Sequence, residues 1–150
     1  MGELTKMIKS IRRKWNIYWE ILESLEEVKE AEEANRPVRK LLTITEDTID
    51  IITKRFKRFY LLIAGDDERN RFVKRLFKLA AENNEDSQTA YGTLDADEYY
   101  DLAKQLLSQD TVCDPEILCI ENGQPKKNSI YSLKIEDILK DAIVKACERL

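Results

Sequence analysis

Nine Lys and Arg side chains alternate with four Phe and one Tyr between Ile52 and Leu79, in the stretch ITKRFKRFYLLIAGDDERNRFVKRLFKL. Cations for phosphates and rings for base stacking are the ingredients of a nucleic-acid grip. Other chemistry is thin. The 150-residue chain has no His, which removes the imidazole base of a Ser or Cys triad. Its four Gly are dispersed, so no glycine-rich phosphate loop exists. Cys113, Cys119 and Cys147 without His fall short of a four-ligand Cys/His zinc site. They read as small buried apolar residues, with a disulfide also open to them. Asp95, Asp97 and Glu98 could hold Mg²⁺, yet Asp95-Ala96-Asp97-Glu98 is explained more simply as the capping box of a helix. Glu20, Glu23, Glu26, Glu27 and Glu30 form an acidic run that fits a solvated face. The reading is a non-enzyme with no catalytic residue, metal or cofactor.

Helical phasing decides what the basic stretch can do. At about 100° per residue, Phe56, Phe59, Tyr60 and Ile63 share one face with Ile52, and Lys54, Arg55, Lys57 and Arg58 fall on the other. On the next helix Arg71, Lys74, Arg75 and Lys78 cluster within about 100°, away from Leu76 and Leu79. The rings therefore point into a core, and a one-signed basic face remains for nucleic acid, for acidic protein, or for water alone. Leu61 and Leu62 phase onto the basic side. With Trp15, Ile17 and Trp19 they form an apolar surplus that reads as subunit interface.

The elements that must carry these faces read as mostly helical. Leu4, Ile8, Ile11, Trp15, Tyr18, Leu22 and Leu25 follow a four-three spacing, which predicts a first helix that reaches about Asn35 before Arg36-Pro37 breaks it. A second helix starts from Thr45 as N-cap and runs to Gly65-Asp66-Asp67, and a third spans about Phe72 to Ala81. Residues 82–94 read as a polar loop, and a fourth helix covers Tyr99 to Leu107. Beyond it, residues 116–123 and 129–135 read as two strands around Asn122-Gly123, followed by a terminal helix. The predicted fold class is mainly α, with a four-helix domain over 1–108, a linker over 109–115 and a small α/β appendage over 116–150.

The net charge of −4 divides unevenly. Residues 1–81 hold 18 Lys/Arg against 14 Asp/Glu, and residues 82–150 hold 7 against 15, so the two halves should meet different partners. Plentiful Lys, Glu and Ile with scarce Gln resembles a thermophile's composition. No apolar run is long enough to span a membrane and no signal peptide opens the chain, which points to the cytoplasm.

Three segments resemble archaeal GINS subunits of the type that places the helical domain first. Arg55-Phe56-Lys57-Arg58-Phe59-Tyr60-Leu61-Leu62 is similar to that family's Arg-apolar-x-Lys/Arg-apolar-x-x-Leu helix. Leu94-Asp95-Ala96-Asp97-Glu98-Tyr99-Tyr100-Asp101-Leu102 is similar to its Leu-Thr-x-Glu-Glu-x-x-x-apolar helix start, and Ile130 to Ile138 to its Tyr-x-x-apolar-Lys-x-x-Asp strand-turn. The family's Val-Gly and Tyr-Gly-Pro residues are missing. The resemblance implies a non-catalytic scaffold of a DNA-replication assembly that bridges the MCM helicase to partner proteins. Its partners would be sister subunits of a hetero-oligomer and the replicative helicase, with any nucleic-acid contact indirect. The alternatives are a nucleic-acid-binding helical module, such as a CRISPR effector small subunit or an archaeal viral DNA-binding protein, and a self-contained homo-oligomer.

Overall fold

Six consecutive residues, Phe59 to Ala64, are buried. A helix cannot bury every side of itself beside a basic face, whereas a strand between two helical layers buries both of its faces and reads as an unbroken apolar run. In the computed structural model, which describes residues 2–14, 19–112, 115–126, 130–132 and 147–148, this segment is a strand. It belongs to β2 (Arg58–Ala64). Its odd residues Phe59, Leu61 and Ile63 enter one core cluster, and its even residues Tyr60, Leu62 and Ala64 enter another on the opposite face.

The order of elements is α1 (Gly2–Lys14), α2 (Trp19–Ala34), β1 (Leu42–Ile44), α3 (Ile49–Thr53), β2, α4 (Glu68–Glu82), β3 (Thr89–Asp95), α5 (Tyr100–Leu107), β4 (Glu116–Glu121), β5 (Gln124–Pro125) and β6 (Tyr131–Ser132). From β1 to β4 strands and helices alternate, and the strands build a single mixed sheet of order β1-β3-β2-β4-β5, with β6 also paired to β4. β3 lies parallel to both β1 and β2, whereas β4 runs antiparallel to β2. The first core cluster packs α1, α2, α3 and α5 on one face of the sheet, through Leu4, Leu25, Ile52 and Ala103 among others. The second packs α4 and Cys147 on the other face, through Val73, Phe77 and Ala80.

The mainly-α expectation is therefore wrong. The predicted second helix is in fact the short α3, a turn and β2. Residues 89–94, read as loop, belong to an inner strand, β3. The polar, Asn-rich sequence of 82–94 made that segment look like loop, but Gly92 is required in a strand there: a Cβ at Gly92 would meet Phe59 Cζ at 2.6 Å and Ile44 Cγ1 at 2.9 Å. Of the residues after the expected 109–115 linker, β4 pairs over its whole length with Arg58 to Ile63 of β2 in the same sheet.

Other expectations hold. The third and fourth predicted helices are α4 and α5. The strand over 116–121 and its Asn122-Gly123 turn are present, with both turn residues at positive φ. Where one continuous first helix was expected, residues Gly2–Lys14 form α1 and Trp19–Ala34 form α2, with 15–18 outside the described residues, and Asn35 at φ 51° ends α2. Two local devices fix the ends of the sheet. Thr43 N–H donates to Ser24 Oγ of α2 at 2.8 Å. The buried Asn84 amide donates to Val38 O and Thr89 O at 2.9 and 2.7 Å, which ties the end of α4 to the segment before β1 and to the start of β3.

Candidate functional site

Parallel strands β2 and β3 end side by side, with Ala64 opposite Asp95. In open α/β sheets the crevice beyond the carboxyl ends of such strands is where ligands are taken. Here that crevice is formed by the turn Gly65–Asp67 leading into α4 and by the turn 96–99 leading into α5. Glu116, buried at the start of β4, pairs opposite Ile63 at the same end of the sheet and accepts from Gln109 Nε2 at 3.1 Å.

The two turns are built from carboxylates. Asp67 is the N-cap of α4, with extended backbone, and its Oδ1 accepts from Asn70 N–H at 2.7 Å. Asp97 Oδ2 accepts from Asp66 N–H at 3.0 Å, and it sits so close to Gly65 that a Cβ there would approach it to 2.8 Å. Asp95 Oδ1 accepts from the Asp97 and Glu98 amides at 2.9 and 3.3 Å. The group considered for Mg²⁺ is thus engaged in closing backbone turns. Among the described residues no cluster of three or more His, Cys, Asp or Glu side chains is arranged to hold a metal. Behind Asp67, Asn70 is only 5 % exposed, and its Oδ1 has no hydrogen-bond partner.

The sulfur chemistry lies elsewhere. Cys119 is buried on β4 and Cys147 is buried against the same face of the sheet, neither in a disulfide, and Cys113 lies outside the described residues. Burial pushes both pKa values up, that of Cys147 far beyond the ordinary thiol range. At Cys119 burial outweighs the nearby cations Arg58 and Lys126, which pull the other way; a thiol is activated where it is partly exposed at a helix N-terminus or beside a cation.

No protein-family model and no curated protein matches the sequence. Solved structures do match. A mutant thioredoxin from Halobacterium salinarum NRC-1 superposes with a TM-score of 0.56 at 18% identity, over 74% of this chain and 94% of that one. The chain has the thioredoxin fold. Thioredoxin f from spinach chloroplast gives a TM-score of 0.58 at 20% identity, over 79% of this chain and 93% of its own. The zinc-bound form of human ERp44 gives 0.56 at 19%, and there this chain spans only 30% of the other protein.

This fold overturns the resemblance to GINS subunits. Of the segments that carried it, the first is the α3–β2 turn and β2 rather than a helix, the second is the end of β3 with the turn into α5, and of the third only residues 130–132, which hold β6, are described. The replication scaffold inferred from it, the helicase partnership and the nucleic-acid-binding helical module all required a helical domain, so they fall with it. The thioredoxin fold alone does not supply thiol chemistry. A C-x-x-C pair at a helix N-terminus is what performs it, and the first turn of α4 carries Asp67-Glu68-Arg69-Asn70.

The sequence-derived site residues separate into groups. Lys54, Arg55, Lys57 and Arg58 occupy the α3–β2 turn and the start of β2 rather than a helix. There Arg55 lies 3.6 Å from Glu32 and Arg58 lies 3.8 Å from Glu121. The Arg58 pKa is raised first by Tyr60, which accepts from it, and only slightly by Glu121. Arg71, Lys74, Arg75 and Lys78 do lie along the outer side of α4, and only Arg71 among them meets an acid of the described residues, Asp66 at 3.4 Å. Leu61 and Leu62 are 0% exposed, one on each face of β2, so the apolar surplus they represented is covered by the chain's own helices. Trp19 is 61% exposed at the start of α2, and Trp15 and Ile17 lie outside the described residues. Asp67 and Asn70 went unrecognised in the sequence because GDDERN reads as the end of a helix. The unbroken FYLLIA run before it was the signal that a strand, not a helix, ends there.

Proposed function

We propose that this chain is a thioredoxin-fold protein without dithiol chemistry that works non-catalytically, by binding another protein. One observation carries the reading: the turn from β2 into α4, where the fold presents its helix N-terminus, holds a capping carboxylate and a buried amide in place of thiols. The inert setting of Cys119 and Cys147 supports it. Partners would be sister subunits of a hetero-oligomer or further copies of the chain. Buried cysteines outside any disulfide, Cys119 and Cys147, fit a reducing, cytoplasmic compartment. No helix among the described residues is long and apolar enough to cross a membrane.

Insulin-disulfide reduction by dithiothreitol tests the reading. The protein should add nothing to the rate of the reductant alone. Thiol labelling of the native protein provides a second measurement: Cys119→Ala and Cys147→Ala should each leave the native count unchanged and remove one thiol from the denatured count. Catalysed insulin precipitation, or a native count that falls in either variant, would overturn the proposal.

A further inference from the structure

The outer side of α4 is divided along its length. Val73, Phe77, Ala80 and Ala81 face the sheet and are buried. Phe72 is 44% exposed and Leu79 is 54% exposed, with Leu76 partly buried between them. These three follow an i, i+4, i+7 spacing, so they form one stripe about 10 Å long. Arg71, Lys74, Arg75 and Lys78 run beside that stripe. Among the described residues no acid meets Lys74, Arg75 or Lys78, and the Arg75 guanidinium lies 5.9 Å from the centroid of the Phe72 ring. Elsewhere on the chain Arg36, Lys40, Arg55, Arg58, Lys104 and Lys126 all face a carboxylate within 4 Å.

We propose that this side of α4 docks an acidic amphipathic helix of a partner protein. The inference rests on the non-redox binding reading above and names the partner's chemistry. A phosphate polymer would use the cations and leave Phe72 and Leu79 in water. An uncharged apolar partner would cover the stripe and leave Lys74, Arg75 and Lys78 beside it unanswered. A helix with apolar residues spaced seven apart and Glu or Asp three or four positions to one side satisfies both requirements. The stacked Arg75–Phe72 pair marks where the partner's carboxylate meets the edge of the apolar contact. The surface lies on the flank of α4, not at the β2–α4 turn, and it needs no sulfur.

Titration of the ¹⁵N-labelled full chain with a synthetic helical peptide of about 15 residues, with Leu on one stripe and Glu beside it, tests the proposal. The amides of α4 from 71 to 79 should shift, and binding should weaken as salt rises. Phe72→Ser with Leu79→Ser should weaken binding roughly tenfold, and Lys74→Glu with Lys78→Glu by a similar factor while favouring a peptide whose Glu are replaced by Lys. All four positions lie on the outer side of the helix, and the unperturbed spectrum of each variant reports its fold. The proposal is overturned if the Glu peptide shifts no α4 amide at millimolar concentration, or if the Lys peptide binds the native chain equally well. It is also overturned if single-stranded DNA binds the same amides with undiminished affinity in the Phe72/Leu79 variant, which would make the flank a phosphate surface. None of these results alters insulin reduction, and a chain that reduces insulin leaves the peptide titration unchanged, so the two readings fail separately.

Discussion

Replacing Asp67 by Ala removes the capping acceptor of α4 and leaves the Asn70 amide, now held at 2.7 Å, without its partner. Loss of such a cap costs about 1 kcal/mol. Loss of a carboxylate from the positive end of the helix costs about 0.5 kcal/mol more at an exposed position. For a chain of this size each kcal/mol lowers Tm by about 2–4 °C, so Asp67→Ala should melt about 3–6 °C below the parent. Asp67→Asn keeps the acceptor and gives up only the charge, so it should melt about 1–2 °C lower. Urea unfolding followed by circular dichroism should show the midpoint moving in the same order at constant m-value. Hydrogen exchange adds a local readout, because the Asn70 amide should lose protection in the Ala variant and keep it in the Asn variant. If the two substitutions cost the same, or if Asn70 exchange does not respond, the cap is not what holds the first turn and the account of the site is wrong.

Gly92→Ala should destabilise the protein by about 1–3 kcal/mol through overpacking against Phe59 and Ile44. Phe59→Leu in the same chain should return part of that loss, as a double-mutant cycle in urea would show. Asp86 has its pKa held down first by the Gln88 amide, which it accepts at 2.9 Å, and then by the Thr89 hydroxyl at 2.8 Å. The unfolded chain therefore binds the proton first, so this stability is present above the ordinary aspartate range and is lost as pH falls through it; Asp86→Asn should flatten that part of an acid titration. Burial raises the Cys147 pKa, so the unfolded chain loses its proton first and stability should fall as pH climbs past the ordinary thiol value of 9.0. Cys147→Ala should remove a share of that alkaline slope.

The helices whose amphipathic faces are long could be read from the sequence, and the strands at the centre of the sheet could not. α4 and α5 have one buried side and one wet side, so their 3.6-residue period survives in the sequence. β2 is buried on both faces and has no period at all. Forcing a helical phase on it placed Leu61 and Leu62 among the cations, and that misfit was the mark of a strand. β3 was hidden by the polar, Asn-rich residues that lead into it, which made all of 82–94 read as loop, although Gly92 within it makes room for Phe59. At the site, Asp67 was taken as part of a helix stop because Gly65-Asp66-Asp67 serves equally at the end of a strand and at the start of the next helix. The basic flank of α4 was found because its spacing stands on its own. The group at 54–58 was misplaced because its assignment depended on the state of β2.

The contact between Ser24 and Thr43 governs what the molecule can become as well as how it is held. β1 is the outermost strand on its side of the sheet, and its outward N–H at Thr43 is occupied by the Ser24 hydroxyl, with α2 lying over it. Without that helix the strand would offer an open peptide edge, a template on which a strand of another molecule can add. A chain cut to begin at Pro37 should therefore grow into intermolecular β-structure at concentrations where the intact protein stays dispersed. The two N-terminal helices act as a guard against self-templating, stationed where the sheet would otherwise continue into its neighbour.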